Sequence, residues 1–248
     1  MSTKLSFPDV DELKTVSGYS FSGKNVKKLE GADEYTLAVI EIDCSGSVMP
    51  FKADLEAAVG KVIDACRKSP SVEKILVRVT KFDDGLEEIH GFVPLFDVKP
   101  EDYKDAIDPG GMTALHDATL DSIESIQSYS KQLNEKEFSS NAIVFIITDG
   151  CENASKIANP DKIAKAITQC HQDEILESVK IVLIGIGSES IVESYLKDFK
   201  DQVGIDQFVW VGEATPGKLA KLAEFISKSV SSTSQSLGSG GASQNIDF

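Results

Sequence analysis

No apolar run in the sequence reaches membrane-spanning length. The opening residues, MSTKLSFPDVDELK, lack the apolar stretch of a secretion signal. Both absences point to a cytoplasmic chain that does not partner a membrane. Cysteine is scarce, with four residues (Cys44, Cys66, Cys151 and Cys170) far apart and no CxxC pair. That spacing argues against a structural zinc site and leaves reduced thiols as the default. Basic residues are also few: 25 Lys and Arg against 40 Asp and Glu leave a net charge of −15. A general affinity for nucleic-acid backbones is therefore not expected, whereas divalent cations remain compatible. There is no G-x-x-x-x-G-K-[ST] phosphate loop and no G-x-S-x-G nucleophile elbow.

What is present suits one α/β domain with appendages: 248 residues, of which 41% are hydrophobic and able to form a core. Residues 1–34 read as a polar N-terminal arm, with short strands at Tyr19–Phe21 and Val26–Leu29. From residue 35 apolar runs alternate with helical periodicity. The predicted strands are Thr36–Ile42, Ile75–Phe82, Glu87–Val93, Ala142–Thr148, Val179–Gly187 and Gln207–Val211. Helices are predicted at Phe51–Lys68, Ala114–Leu133, Pro160–His171, Ile191–Phe199 and Pro216–Val230, with a short one at Glu101–Ala106. The Asp83-Asp84-Gly85 connection is too short for a parallel return, so the strand after it is antiparallel. The expected fold is a Rossmann-like, doubly wound, mostly parallel six-stranded sheet, with one antiparallel edge strand and helices on both faces, over residues 35–231. Asp83-Asp84 and Glu87-Glu88 read as turn and solvated edge. Residues 232–248 read as a flexible Ser/Gly/Gln-rich tail, in which SQSL (Ser234–Leu237) and SQNI (Ser243–Ile246) echo each other.

The chemistry concentrates at DCSGSVM, Asp43 to Met49, directly after the apolar run YTLAVIEI. In open parallel sheets ligands gather beyond the carboxyl ends of the strands. If the first strand neighbours AIVFIIT, then Asp43, Ser45 and Ser47 share a crevice with Asp149. The loop DPGGMT can bring Thr113 to the same edge, its glycines permitting close approach. Two carboxylates and three hydroxyls are all hard oxygen donors. They suit Mg²⁺, with Ca²⁺ or Mn²⁺ as substitutes, better than Zn²⁺. Two other readings compete. Ser45 or Ser47 could simply cap the next helix. Alternatively, one of these serines could be a hydrolase nucleophile with His116 and either Asp149 or Asp117, although nothing in the sequence places a base beside it.

Asp43, Ser45 and Ser47 in D-x-S-x-S, followed by Thr113 in GGMT and Asp149 in IITDG, resemble the metal-ion-dependent adhesion site of von Willebrand factor A domains. The resemblance spans about Tyr35 to Ser231. Within that family the phrasing VIEIDCSGSV, VTKFDDGLEEIHGFVPL and GGMTALHDA looks most like compact intracellular bacterial TerY-like proteins of tellurium-resistance clusters. The resemblance implies direct coordination by both serines, aspartates acting mostly through bound water, and a Thr ligand whose distance varies. It also implies an open position that takes a partner's Asp or Glu. The expected function is thus a non-enzymatic, metal-dependent protein-interaction module in a stress-response setting. Its partner-binding rim would be Gly111, Met112, Cys151, Glu152 and Asn153. The rival is an adaptor acting through its serine-rich tail, where eight serines and one threonine between Ser227 and Ser243 could accept phosphate.

Overall fold

Apolar runs that are hydrophobic on both faces have to lie inside a sheet covered on both sides, and the two most apolar strands do so. In the computed structural model, which describes residues 4–236 and 247–248, the strands are β1 (Val10–Lys14), β2 (Ser20–Lys24), β3 (Glu34–Asp43), β4 (Ile75–Phe82), β5 (Leu86–Pro94), β6 (Ser139–Thr148), β7 (Val179–Ile186) and β8 (Gln207–Gly212). They form one eight-stranded sheet in the order β1-β2-β5-β4-β3-β6-β7-β8. Strands β4, β3, β6, β7 and β8 run parallel. The β4–β5 hairpin is antiparallel, as the Asp83-Asp84-Gly85 turn requires. The helices are α1 (Lys52–Arg67), α2 (Leu115–Asn134), α3 (Pro160–Gln172), α4 (Ser190–Val203) and α5 (Pro216–Ser236). Alternate residues of each strand point to opposite faces. Ala38, Ile40 and Ile42 of β3 therefore pack with α1 and α5, and Leu37 and Val39 with α2, α3 and α4. No helix among the described residues is long and apolar enough to cross a membrane.

The sheet has eight strands, two more than the six expected, because part of the arm joins it. β1 and β2 form an antiparallel hairpin, and β2 adds to β5 in parallel through Gly23 and Phe92. Strand β5 is consequently interior, and the edge lies at β1, whose Asp11, Glu12 and Lys14 keep it polar. Val26–Lys28 is a short 3-10 turn, not a strand, and Pro100–Tyr103 is another where a short α-helix was expected. Helix α5 continues to Ser236 and buries Thr233 and Ser234, with Asn141 Nδ2 donating to the Thr233 carbonyl at 2.7 Å. Of the tail echo, Leu237 and Ser243–Ile246 lie outside the described residues. Phe248 packs edge-on against Phe225 of α5.

Covering β5 changes the meaning of Glu88. It is buried and not part of a solvated edge. Its carboxylate accepts from Arg78 Nε at 2.9 Å, from the Ser22 amide at 2.9 Å and hydroxyl at 2.7 Å, and from Lys4 at 2.7 Å. Arg78, also buried, turns its other edge to Asp121 at 2.8 Å and Ser125 at 3.1 Å of α2. Glu41 beside them accepts from Ser122 at 2.9 Å and from Thr80. One guanidinium cannot neutralise Glu88, Asp121 and Glu41 together. Burial and the Asp121 charge accordingly push the Glu41 carboxyl well above its ordinary range. This network accounts for Asp121, Ser122 and Ser125 on the inward face of α2.

The arm docks where β5 has no side chain. A Cβ on Gly91 would overlap the Ser22 carbonyl and hydroxyl. Gly91→Ala is therefore expected to loosen β2 from β5 and lower stability by about 2 kcal/mol. Thermal unfolding would report it as a midpoint several degrees lower, with faster amide exchange in β1 and β2. An unchanged midpoint would show that the arm adds nothing to the core.

Candidate metal centre

The parallel register of β3 and β6 pairs Ile42 with Ile147, so the next residue of each strand lies at the same carboxyl edge. Asp43 is almost fully buried there, at 1% exposure. Its Oδ2 accepts from Thr148 Oγ1 at 2.5 Å and its Oδ1 from the Ser45 amide at 2.8 Å. The chain then tightens into a 3-10 turn over Gly46–Phe51. Ser45 stands at the cap position of that turn, yet its side chain makes no capping bond. Its hydroxyl instead lies 3.0 Å from Ser47 Oγ, which donates to Asp149 Oδ1 at 2.8 Å. Simple helix capping does not account for that arrangement.

Thr113 arrives from the loop before α2. That loop is fixed by backbone bonds from Gly110 to the Cys44 carbonyl at 2.9 Å and from Ala114 to the Asp83 carbonyl at 2.7 Å. Gly111 adopts φ +66° against Asp83 and Asp84, where any side chain would overlap Asp84. The Thr113 amide donates to Asn153 Oδ1 at 2.8 Å, and the Asn153 amide returns a bond to the Thr113 carbonyl at 3.0 Å. A Cβ on Gly150 would come within 3.2 Å of Thr113 Oγ1. The threonine hydroxyl thus faces the bare backbone next to Asp149.

Burial and the neighbouring Asp43 charge push Asp149 up to about 6. Asp43 is also raised by burial, against the lowering effect of its bonds from Thr148 and Ser45. Two desolvated carboxylates facing a common hydroxyl cluster are a charge arrangement that a cation would relieve. Among the described residues no group of three or more His, Cys, Asp or Glu side chains forms a metal cage. A site here would rest on two carboxylates with neutral oxygens, a donor set that fits a hard divalent ion.

The five residues that the sequence singled out are thus brought to one edge. The rim residues divide. Gly111 and Met112 are exposed, and Cys151 and Asn153 line a groove together with Ser47, Thr113 and Asp149. Glu152 turns inward: its carboxylate accepts from the amides of His116, Ala154 and Ser155 and from the Ser155 hydroxyl, all at 2.7–2.8 Å. Asp117 accepts from the amides of Lys156, Ile157 and Ala158 at 2.7–3.0 Å. The imidazole of His116 stacks on Phe199 at 4.9 Å. Ser47 pairs with Asp149 and Ser45, so among the described residues no hydrogen bond links His116 or Asp117 to Ser45 or Ser47 as the predicted hydrolase triad would need. Sequence reasoning missed Asn153 as the clamp on Thr113 and Thr148 as a donor to Asp43. Thr148 carried a signal, being adjacent to Asp149 at the strand end; Asn153 carried none.

The sheet order, the helices on both faces and this strand-end site define a von Willebrand factor A-type fold. No protein-family model matches the chain, and no curated protein sequence does. Solved structures do. Proximal thread matrix protein 1 from the mussel byssus superposes with a TM-score of 0.58 at 17% identity, over 81% of this chain and 49% of that one. The same protein with a zinc-occupied MIDAS motif gives 0.57 at 18% identity, with the same coverages. The D319A mutant of the PilB minor pilin from Streptococcus sanguinis gives 0.58 at 14% identity, over 90% of this chain and 67% of that one. The chain therefore spans about half the length of the mussel protein. At these identities the likeness is one of fold.

Because the folded-state pKa of Asp149 is about 6, above the ordinary carboxylate value, folding favours its protonated form. In metal-free protein this group adds stability as pH falls through 6, and that contribution is lost as pH rises. Cation binding needs the carboxylate, so the Mg²⁺-induced rise in thermal midpoint should be full above pH 7 and fade below 6. Scanning fluorimetry from pH 5 to 8, with and without Mg²⁺, measures both slopes. Asp149→Asn should abolish the Mg²⁺ shift and flatten the metal-free slope near pH 6, leaving the slope due to other raised carboxyls such as Glu41, whereas a pH-independent Mg²⁺ shift would place the ion elsewhere.

Proposed function

We propose that this chain is a non-enzymatic protein-interaction module that binds an acidic residue of a partner through Mg²⁺, with Ca²⁺ or Mn²⁺ as substitutes. The observation that carries the reading is the continuous hydrogen-bonded set Asp43, Ser45, Ser47 and Asp149, with the Thr113 hydroxyl across from it. Asp43 and Asp149 would supply the negative charge, and Ser45, Ser47 and Thr113 neutral oxygens. When bound, the ion would offer a coordination position to an incoming carboxylate. The protein's own contribution is to hold the five side chains at the strand ends and on hydrogen-bonded turns beside them, so that little ordering is needed on binding. The zinc-occupied MIDAS motif of the mussel protein, a neighbour in fold, supports a divalent-ion site in this chain. The setting we favour is the cytoplasm, in a bacterial stress-response system of the tellurium-resistance type, which rests on the sequence resemblance.

Recognition through a phosphorylated serine-rich segment is the weaker reading. Ser227, Ser229, Thr233 and Ser234 are buried in α5, where a kinase could not reach them in the folded chain.

Partner capture should be lost on adding EDTA, restored by Mg²⁺, and abolished in Asp43→Ala with the fold retained by circular dichroism. Capture that survives both EDTA and Asp43→Ala would sink the metal-dependent reading. Deleting residues 237–248 should leave capture intact; its loss would favour the tail.

A further inference from the structure

The metal centre does not stand alone on its edge of the sheet. A groove of about 730 Å³ leads from Ser47, Thr113 and Asp149 across the carboxyl ends of β6, β7 and β8. Its apolar lining comes from Pro50, Phe51, Ile186, Val192 and Ala214. Its charged lining is entirely acidic: besides Asp149 it has Glu189, just before α4, and Glu213, just after β8. Both glutamates are exposed, and neither carboxylate has an ion-pair partner among the described residues. Lys218 Nζ lies against Gly212, next to Glu213 in sequence, but Lys218 is not part of the groove lining and forms no ion pair with Glu213. A second, independent feature marks the same edge. Met49, Met112, Ile157 and Ile191 are large apolar side chains left 43–72% exposed. They sit in the loops after β3, before α2 and after β6, and in the first turn of α4. None of the four lines the groove, but Met49, Met112 and Ile191 directly adjoin its lining residues Pro50, Thr113 and Val192 in sequence, so apolar surface is left exposed on the same edge.

We propose that this groove reads an extended partner segment in which an acidic residue is followed by an apolar side chain and then by a lysine or arginine. The carboxylate would face the metal centre, the apolar side chain would lie on Phe51, Ile186 and Val192, and the cation would meet Glu189 and Glu213. The inference rests on the proposed function for the first of these three contacts only. The chain's net charge of −15 favours the same sign of partner, since an acidic field attracts a basic segment and repels a uniformly acidic one.

Blocked synthetic peptides test it, with glutamate and lysine separated by a variable spacer of leucine and glycine, measured by fluorescence anisotropy with Mg²⁺ or with EDTA. Glu…Lys peptides should bind roughly fivefold tighter than Glu…Glu analogues at low salt, the scale of one exposed charge pair. That preference should vanish in Glu189→Gln/Glu213→Gln, while Mg²⁺-dependent selection of glutamate over glutamine persists. If the native protein shows no lysine preference, or the double variant keeps it, the groove proposal is overturned. If glutamate selection is insensitive to EDTA while the lysine preference holds, the metal reading fails and the groove stands. If no peptide binds, the groove does not read extended segments.

Discussion

The parallel pairing of β3 with β6 is the constraint on which the site depends. It joins two strands far apart in sequence, and its register sets Ile42 against Ile147. Asp43, Thr148 and Asp149 therefore emerge side by side. A slip of one residue would reverse every side chain on the strand and bury the wrong face. The apolar alternation of both strands, packed between α1 and α5 on one side and α2, α3 and α4 on the other, fixes that register. The position of the carboxylates is thus a consequence of core packing.

Bringing two carboxylates together out of water is unfavourable without a compensating cation. The raised position of Asp149 expresses that conflict. A similar arrangement, resolved differently, lies deeper in the domain. There Arg78 pairs with both Glu88 and Asp121, Lys4 adds a second cation at Glu88, and hydrogen bonds and a raised proton affinity accommodate Glu41. The internal network contains its own cation and belongs to the scaffold. The strand-end cluster does not, and it opens onto a groove whose apolar and acidic lining suits a partner rather than the chain itself.

Much of the fold was legible because periodicity is a local property. Five of the six expected strands lie in the parallel body in their expected places, and the hairpin followed from the length of the Asp83-Asp84-Gly85 turn. The arm was harder to read. Ser20–Lys24 is short and polar, and its place in the sheet depends on Gly91 leaving room beside Ser22. Glu88 looked solvated for the same reason, since only the docking of β2 removes it from water. Glu152 looked like rim because it borders Asp149 in sequence, but its carboxylate is used up by amides of the α2 N-terminus and its own loop.

By itself the sequence determined the donor types, their attachment to strand ends, and the oxygen-rich chemistry that suits a hard divalent ion. Residue type and hydrophobic pattern are carried by the chain regardless of its path. Only the tertiary structure decided that Asp43 and Asp149 share one hydrogen-bonded set, that Asn153 clamps Thr113, and that Glu189 and Glu213 flank the same groove. Those relations join residues more than a hundred positions apart or on separate loops. They exist because the sheet order places β3, β6, β7 and β8 side by side with their carboxyl ends on a common edge.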